Sequence, residues 1–405
     1  MSKKFVFITS HFPFGKSEIW AANEINSLLE KGNEIIIIPR TGKGKITNMD
    51  AIKFNSNLID LPFFNWPIFI FLLSKILLKP FQFLKFLIDI IKQSNSIIDF
   101  VKGIIILPKS LFLTKILKNV KIDHIHALST TSTARMAFIL SSNLRVPWSY
   151  TLHSSSILNS NYKKSLLFHS RSASICRTIS EITAKDLSNF IGPSLSKKVV
   201  MVHLGVKVKD LKIKKSIIDD CFIIATPAEL KEHKGHVYAI EAAKKLIDMG
   251  VSNFKWFFYG SGPLLNKLQK KVKELNLINH CYFSGIIDHN ELLTKYENNK
   301  VDIVISSSIS VLDIFEGIPV SLMEAMSYEI PVIATDCGAT KELVDGQSGI
   351  LINQKDSEAL KNAIYKLINN TDYRIEIAKN GINKIKQEFN TKKNAEDLIK
   401  VFYKN

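Results

Sequence analysis

Glu316 and Glu324 stand eight positions apart in the stretch EGIPVSLMEAMSYEIPVIATDCGATKELV, which runs from Glu316 to Val344. A helix is expected to begin near Pro319, because proline is favoured at the first helical position. Ile318 precedes it and has no side chain able to cap. The first amides of that helix, around Ile318, Pro319 and Val320, are therefore open to an anion, and the helix dipole favours one there; a diphosphate fits. Glu316 falls in the loop just before this end. Glu324 falls in the second turn, where its carboxylate can accept two hydrogen bonds from a vicinal diol such as that of a ribose. The plain alternative is a solvated helix face preceded by a loop acid.

Three further residue types fit the same chemistry. Lys234 lies in ATPAELKEHKGHVYAIEAA, where a strand passes into a helix, and would supply a cation. Its alternative is a surface lysine at a helix start, where the dipole disfavours a positive charge. Gly260, in the turn Tyr259–Pro263, would let backbone approach closely, though a lone GxG is weak as a phosphate signal. His153 ends an apolar strand and would stand at a sheet edge; its alternative is a structural histidine. His126 reads as a core residue of its strand.

Positioning these groups requires regular elements, and the chain alternates them. Strands are expected at Phe5–Thr9, Glu34–Pro39, His124–Ala127, Ser149–His153, Arg177–Ser180 and Val199–His203, then at Phe222–Thr226, Phe254–Tyr259, Cys281–Ser284, Asp302–Ser306, Pro331–Thr335 and Gly349–Ile352. Many are continuous apolar runs, as parallel strands covered on both faces should be. Helix-length segments separate them, including Glu18–Lys31, Val237–Met249, Asn290–Glu297 and Val320–Tyr328, so the pattern is of βαβ units. The fold class is α/β, with two Rossmann-like domains. The expected boundaries are an N-terminal domain over 1–205, a linker over 206–220, a second, nucleotide-binding domain over 221–385 and a C-terminal helix over 386–405 that packs back toward the first domain. Ligand groups collect at the C-terminal ends of parallel strands, so two such edges facing one another would make an interdomain cleft.

With these elements placed, the segment from Glu316 closely resembles the donor-binding motif of glycosyltransferase family 4, the retaining family with the GT-B fold. E-x7-E alone is a weak signal; GIPV, MEAM, PVIATD and the following Gly and ELV supply the specificity. The resemblance implies that Glu316 contacts the donor sugar and Glu324 binds the ribose. It makes Lys234–Gly235 the end of a GRLxxxKG-like element that neutralises the diphosphate, although Glu229 occupies the family's Arg position and Lys231 is the nearest substitute. It places Ile286 in a loop beside the nucleotide base, and Gly15, in HFPFGKSEIWAANEI, against the diphosphate. It sets His153 against the donor sugar. The loop with Glu18, and the stretches DHIHALSTTSTARMA and SYTLHSSSI, resemble a subset that builds exopolysaccharides. The implied activity is metal-independent, retaining transfer of a sugar from a UDP- or GDP-linked donor to a glycan or lipid-linked acceptor in bacterial surface polysaccharide synthesis. Catalytic roles fall to His153 and Glu316, with no cofactor and no metal.

Composition sets the outer limits. The 405 residues are 46% hydrophobic and 22% charged, which is globular and long enough for two cores. The net charge of +17 favours anionic partners. It does not choose among nucleotides, phospholipid headgroups and nucleic acid, and an Ile-, Lys- and Asn-rich chain inflates it. No helix-turn-helix, zinc or RNP pattern supports nucleic-acid binding, which remains a rival together with an epimerase or phosphorylase of the same architecture. Cys176, Cys221, Cys281 and Cys337 form no CxxC pair and read as free thiols of a reducing compartment. MSKKFVFITSHF reads as a first strand and not as a signal peptide. No segment reaches the ~18–20 charge-free apolar residues of a membrane span. The chain is expected in the cytoplasm, with Leu61–Val120 either lying on the inner membrane face or packing as ordinary helices.

Overall fold

The computed structural model describes residues 2–14, 18, 20–41, 57–159, 162–208, 221–312 and 314–403. Gly15, and residues 209–220 of the expected linker, lie outside the described residues. The chain divides into two compact units, Met1–Leu204 with Lys392–Asn405, and Gly205–Thr391.

The first unit is built on a six-stranded parallel sheet of β1 (Lys4–Thr9), β2 (Glu34–Pro39), β3 (His124–Ala127), β4 (Trp148–Leu152), β5 (Ile175–Thr178) and β6 (Val199–Met201), in the order β2-β1-β3-β4-β5-β6. Its strands are β-branched and aromatic and buried on both faces, so hydrogen-bonded pleats and apolar burial reinforce one another. Helix α1 (Trp20–Glu30) joins β1 to β2. The long connection from β2 to β3 holds α2 (Trp66–Leu78), α3 (Pro80–Gln93) and α4 (Ile97–Leu117). The first of these ends at Leu78, and Pro80 opens the next at a first helical position, where its missing amide hydrogen costs nothing.

The second unit is a parallel sheet of β7 (Phe222–Pro227), β8 (Phe254–Tyr259), β9 (Cys281–Phe283), β10 (Ile303–Ser306), β11 (Val332–Thr335) and β12 (Ile350–Ile352), ordered β12-β11-β10-β7-β8-β9. Trp256 and Phe258 lie at the centre of its core. The sheet changes direction of growth between β7 and β10. In doubly wound sheets the loops leaving two such strands splay apart and leave a crevice at their C-terminal ends. Helices α5 (His236–Asp248), α6 (His289–Glu297) and α7 (Val320–Ser327) begin at this edge.

The C-terminal helix α8 runs Thr391–Tyr403 and not from 386. The preceding helix ends at Glu388, and Phe389 and Asn390 break it because the backbone there pairs with Val206: the Val206 amide donates to the Phe389 carbonyl at 2.9 Å and the Thr391 amide to the Val206 carbonyl at 3.2 Å. Within the first unit Leu398 and Phe402 of α8 join Phe5 and Phe7 in one core cluster. The His124 ring stacks on Phe402 with centroids 4.3 Å apart.

That core holds an unusual amount of imidazole. His126 bonds Ser149 Oγ at 2.7 Å through Nδ1 and Thr151 Oγ1 at 2.9 Å through Nε2, and His124 Nε2 meets the same Ser149 Oγ at 2.7 Å. His126 is a core residue, as its strand position suggests. Burial holds His124 and His169 down to about 3, and His126 well below the ordinary value, so all three fold neutral. In the second unit burial takes His236 down to about 4. The unfolded chain binds these protons near pH 6.5 while the folded chain refuses them, so stability falls as pH drops below that point. Between pH 7.5 and 5.5 each buried histidine should cost about 1 kcal/mol. With three of these four, the first unit should lose more stability than the second over this range. Urea unfolding followed by hydrogen exchange at the two pH values checks this; an equal loss of protection in both units between pH 7.5 and 5.5 would remove the argument.

Candidate functional site

Lys234 closes a short 3-10 turn, Glu232–Lys234, that follows β7, and Gly235 turns the chain into α5 with φ +63°. Only glycine fits there: a Cβ would lie 1.9 Å from the Ser307 carbonyl oxygen. The loop after β7 is thereby pressed against the loop after β10. Two hydrogen bonds join them, from the Ile309 amide to the His233 carbonyl at 2.8 Å and from Ser307 Oγ to the Lys234 carbonyl at 3.1 Å.

The same loop after β10 carries Glu316. Its Oε2 accepts from Lys234 Nζ at 2.7 Å and from Ser308 Oγ at 2.7 Å. The two side chains are 21% and 13% exposed, so the pair is shielded yet reachable. Gly338 fixes the other side of the loop. At φ +60°, it comes so near that a Cβ would sit 2.0 Å from the Glu316 carbonyl, which also accepts the Ala339 amide at 3.2 Å. Lys234 is the local cation, because its histidine neighbours stay neutral: burial first, then the Lys234 charge, lowers both His233 and His236.

Helix α7 starts at Val320, with Pro319 at the cap position and no side-chain cap. The start agrees with the expected helix Val320–Tyr328, which runs one residue longer at its other end. The Leu322 and Met323 amides both bond the Pro319 carbonyl, at 3.1 and 3.2 Å. The amides of Val320 and Ser321 precede these internal bonds and form the anion-accepting end. Ile318 and Pro319 are buried beneath it.

One turn further on, Glu324 Oε1 meets His289 Nε2 at 2.7 Å. His289 is the first residue of α6, whose cap is the Asp288 carboxylate. The bond holds the loop that follows β9 against α7. Ile286 belongs to that loop and is 57% exposed, an apolar surface of the kind on which a base can rest. Gly260 follows β8 and lies on the Ala228 carbonyl, which a Cβ would approach to 1.9 Å, so its lack of a side chain already serves contact within the protein.

Lys231 does not stand in for the missing arginine at this point, because its Nζ pairs with Glu229 Oε2 at 2.7 Å and both are well exposed. The two residues neutralise one another.

The second unit therefore gathers Lys234, Glu316, the α7 start, Glu324 and the Ile286 loop at one sheet edge. His153 belongs to the first unit, immediately after β4. Its Nε2 lies 2.7 Å from the Leu128 carbonyl, which can only accept, so Nε2 carries the proton. Burial, the largest influence, lowers its pKa, and the Trp20 ring lies 4.8 Å away. A neutral His153 of this tautomer can only accept at Nδ1. Nearby, Glu18 receives the amides of Ser10, His11 and Phe12 at 2.9–3.1 Å, so this acid shapes its own loop. Sequence reasoning missed His289, Ser308 and the bonding of Glu18. Only Glu18 had a signal, its resemblance to the exopolysaccharide subset.

Comparison with known proteins was consistent with this geometry. Residues 208–384 match the family described as glycosyl transferases group 1. WcaL of Escherichia coli strain K12, whose name assigns it provisionally to colanic acid biosynthesis as a glycosyltransferase, is 31% identical over 170 residues, 41% of this chain and 41% of WcaL. AmsK of Erwinia amylovora, an amylovoran biosynthesis glycosyltransferase, is 27% identical over 198 residues, 48% of each chain. The chain thus spans less than half the length of these curated relatives. The crystal structure of HepE from Anabaena in complex with UDP superposes with a TM-score of 0.73 at 16% identity, covering 100% of both chains. That likeness carries the fold, which is GT-B as the resemblance implied.

Proposed function

From the match of residues 208–384 to the glycosyl transferases group 1 family, we propose that this protein is a retaining glycosyltransferase using a nucleoside-diphosphate sugar. The acceptor is a glycan or a lipid-linked glycan of bacterial surface polysaccharide synthesis. The names of WcaL and AmsK support that setting. It puts the enzyme in the cytoplasm, at the inner face of the membrane when the acceptor is lipid-borne. The UDP bound to HepE favours a uridine donor over a guanosine one.

The observation that carries the reading is the ion pair Lys234–Glu316 beside the uncapped start of α7, with Glu324 one turn away. The bond between the anomeric carbon and the diphosphate oxygen breaks, and negative charge builds on the departing phosphate. Lys234 and the amides of Val320 and Ser321 stabilise that charge where it develops, the kind of preorganised electrostatics that dominates such catalysis. No metal or other cofactor is required by this scheme. Glu316 orients hydroxyls of the donor sugar, and His153 accepts one at Nδ1. The acceptor hydroxyl attacks from the face the diphosphate leaves, its proton passing to the leaving oxygen, and the anomeric configuration is retained. Gly15 joins the diphosphate side of this scheme.

A screen of UDP- and GDP-sugars for thermal stabilisation, followed by NMR of the product, tests it. The expected result is stabilisation by one donor class and a retained anomeric configuration, unchanged by chelator. Stabilisation without any acceptor-dependent product, but with an altered free sugar nucleotide, would mean an epimerase. Retention on DNA with no response to any sugar nucleotide would mean a nucleic-acid-binding protein.

A further inference from the structure

Apolar side chains that water ordinarily drives inward stand outward on one part of the first unit. Of the twenty-three large hydrophobic side chains exposed among the described residues, sixteen fall between Phe64 and Ile116. A patch on this scale marks an interaction site. Helix α2 is apolar around most of its circumference yet buries only Ile68. A helix of that character belongs in a core or in lipid. Helix α3 has two apolar faces. Phe86 and Ile90 pack with Leu107 and Leu111 of α4, while Phe81, Leu84, Ile88 and Ile91 recur at helical spacing on the exposed side. The helices turn by 108° between Leu78 and Pro80, and the residues flanking the turn are largely exposed: Leu77 at 78%, Leu78 at 79% and Phe81 at 87%.

The charge on these helices has one sign at the surface. Lys79, Lys85, Lys92, Lys102, Lys115 and Lys118 are exposed, whereas both acids of the stretch, Asp89 and Asp99, are buried, Asp99 against Arg135 at 3.2 Å. Lys109 takes no part, since its buried ammonium donates to the carbonyls of Pro39, Arg40 and Leu61. Lys75 is crowded by cations: burial first, then Lys79 and Lys118, lowers its pKa. A second copy of the chain on this face would set lysine against lysine. No single helix among the described residues is long and apolar enough to cross a membrane.

We propose that α2, α3 and the first half of α4 form an in-plane docking surface for a bilayer leaflet with anionic headgroups. The exposed Trp, Phe, Leu and Ile side chains enter the acyl boundary and the lysines meet the lipid phosphates. The surface deepens the reading of a membrane-borne acceptor, but its test uses no sugar transfer. Purified full-length protein is floated with vesicles of phosphatidylcholine alone and of equal parts phosphatidylcholine and phosphatidylglycerol. The protein should float with the anionic vesicles and less so in high salt. The triple variant Leu77→Asp, Leu78→Asp, Phe81→Asp and the double variant Lys85→Gln, Lys92→Gln should each lower partitioning by at least about tenfold. Because all five side chains are exposed, the melting temperature and its shift with UDP should match the parent chain, which separates lost docking from lost folding or a failed donor site. A parent protein that stays at the bottom of the low-salt gradient, or variants that float as well as it does, would overturn the proposal. So would a dimer in light scattering that the triple variant dissolves while flotation is unchanged.

Discussion

Lys234→Ala should lower kcat/KM by roughly 10²–10³-fold, the loss seen when one preorganised donor is taken from developing charge. The Lys234 ammonium lies 2.7 Å from Glu316 Oε2, so the variant also strips Glu316 of its main partner and leaves Ser308 Oγ as its donor. The two residues act as one unit, and their losses should not add. Glu316→Gln alone should fall in the same range, and the double variant should be little worse than either single one. Steady-state kinetics on the four proteins gives the cycle. Full additivity would separate the two residues, and a Lys234→Ala enzyme within about twofold of the parent would remove the lysine from the reaction.

The second large effect concerns the nucleotide. Glu324→Ala should weaken nucleoside-diphosphate binding by roughly 30- to 150-fold, the value of two hydrogen bonds at a net 1–1.5 kcal/mol each. His289 already engages Oε1, so a ribose diol would meet Oε2 and the lone pair Oε1 keeps. His289→Ala should have the smaller effect, because it loosens the carboxylate without removing it. Calorimetric titration with UDP and with its 2′,3′-dideoxy analogue isolates the diol. The parent should discriminate strongly between them and Glu324→Ala hardly at all. If the variant kept that discrimination, another group would be reading the ribose.

Much of this fold was legible because parallel strands covered on both faces must be continuous apolar runs. The twelve strands of the described residues lie where those runs are; Glu34–Pro39, His124–Ala127 and Phe254–Tyr259 agree at both ends, and the others are displaced by a residue or two. The start of α7 at Val320 was legible from Pro319 and the non-capping Ile318. What joins distant loops was not. Nothing in a linear string brings His289 to Glu324, or says that Lys234 and Glu316, expected to hold different parts of a ligand, also hold one another. The interruption at Phe389 was hidden because it depends on a backbone bridge to Val206, 183 positions earlier. For Leu61–Val120 the pattern did not choose between helices packed in a core and helices lying on a membrane. Each of the three helices sends some apolar side chains into a core and others out, and helical periodicity alone cannot tell which outward face lacks a cover.

The hydrogen bond from Lys234 to Glu316 closes a span of 82 residues. Between them lie β8 and β9 on one side of β7, and β10 can lie beside β7 only after the chain has gone out and come back. A nascent polypeptide that has emerged only as far as β9 owns the lysine but has nothing to oppose it. Loop closure over such a distance comes late in assembly, once shorter-range pairings have formed. Competence in the second unit is therefore an all-or-none property of the completed sheet, and a prematurely terminated chain would carry no weak or partial version of it.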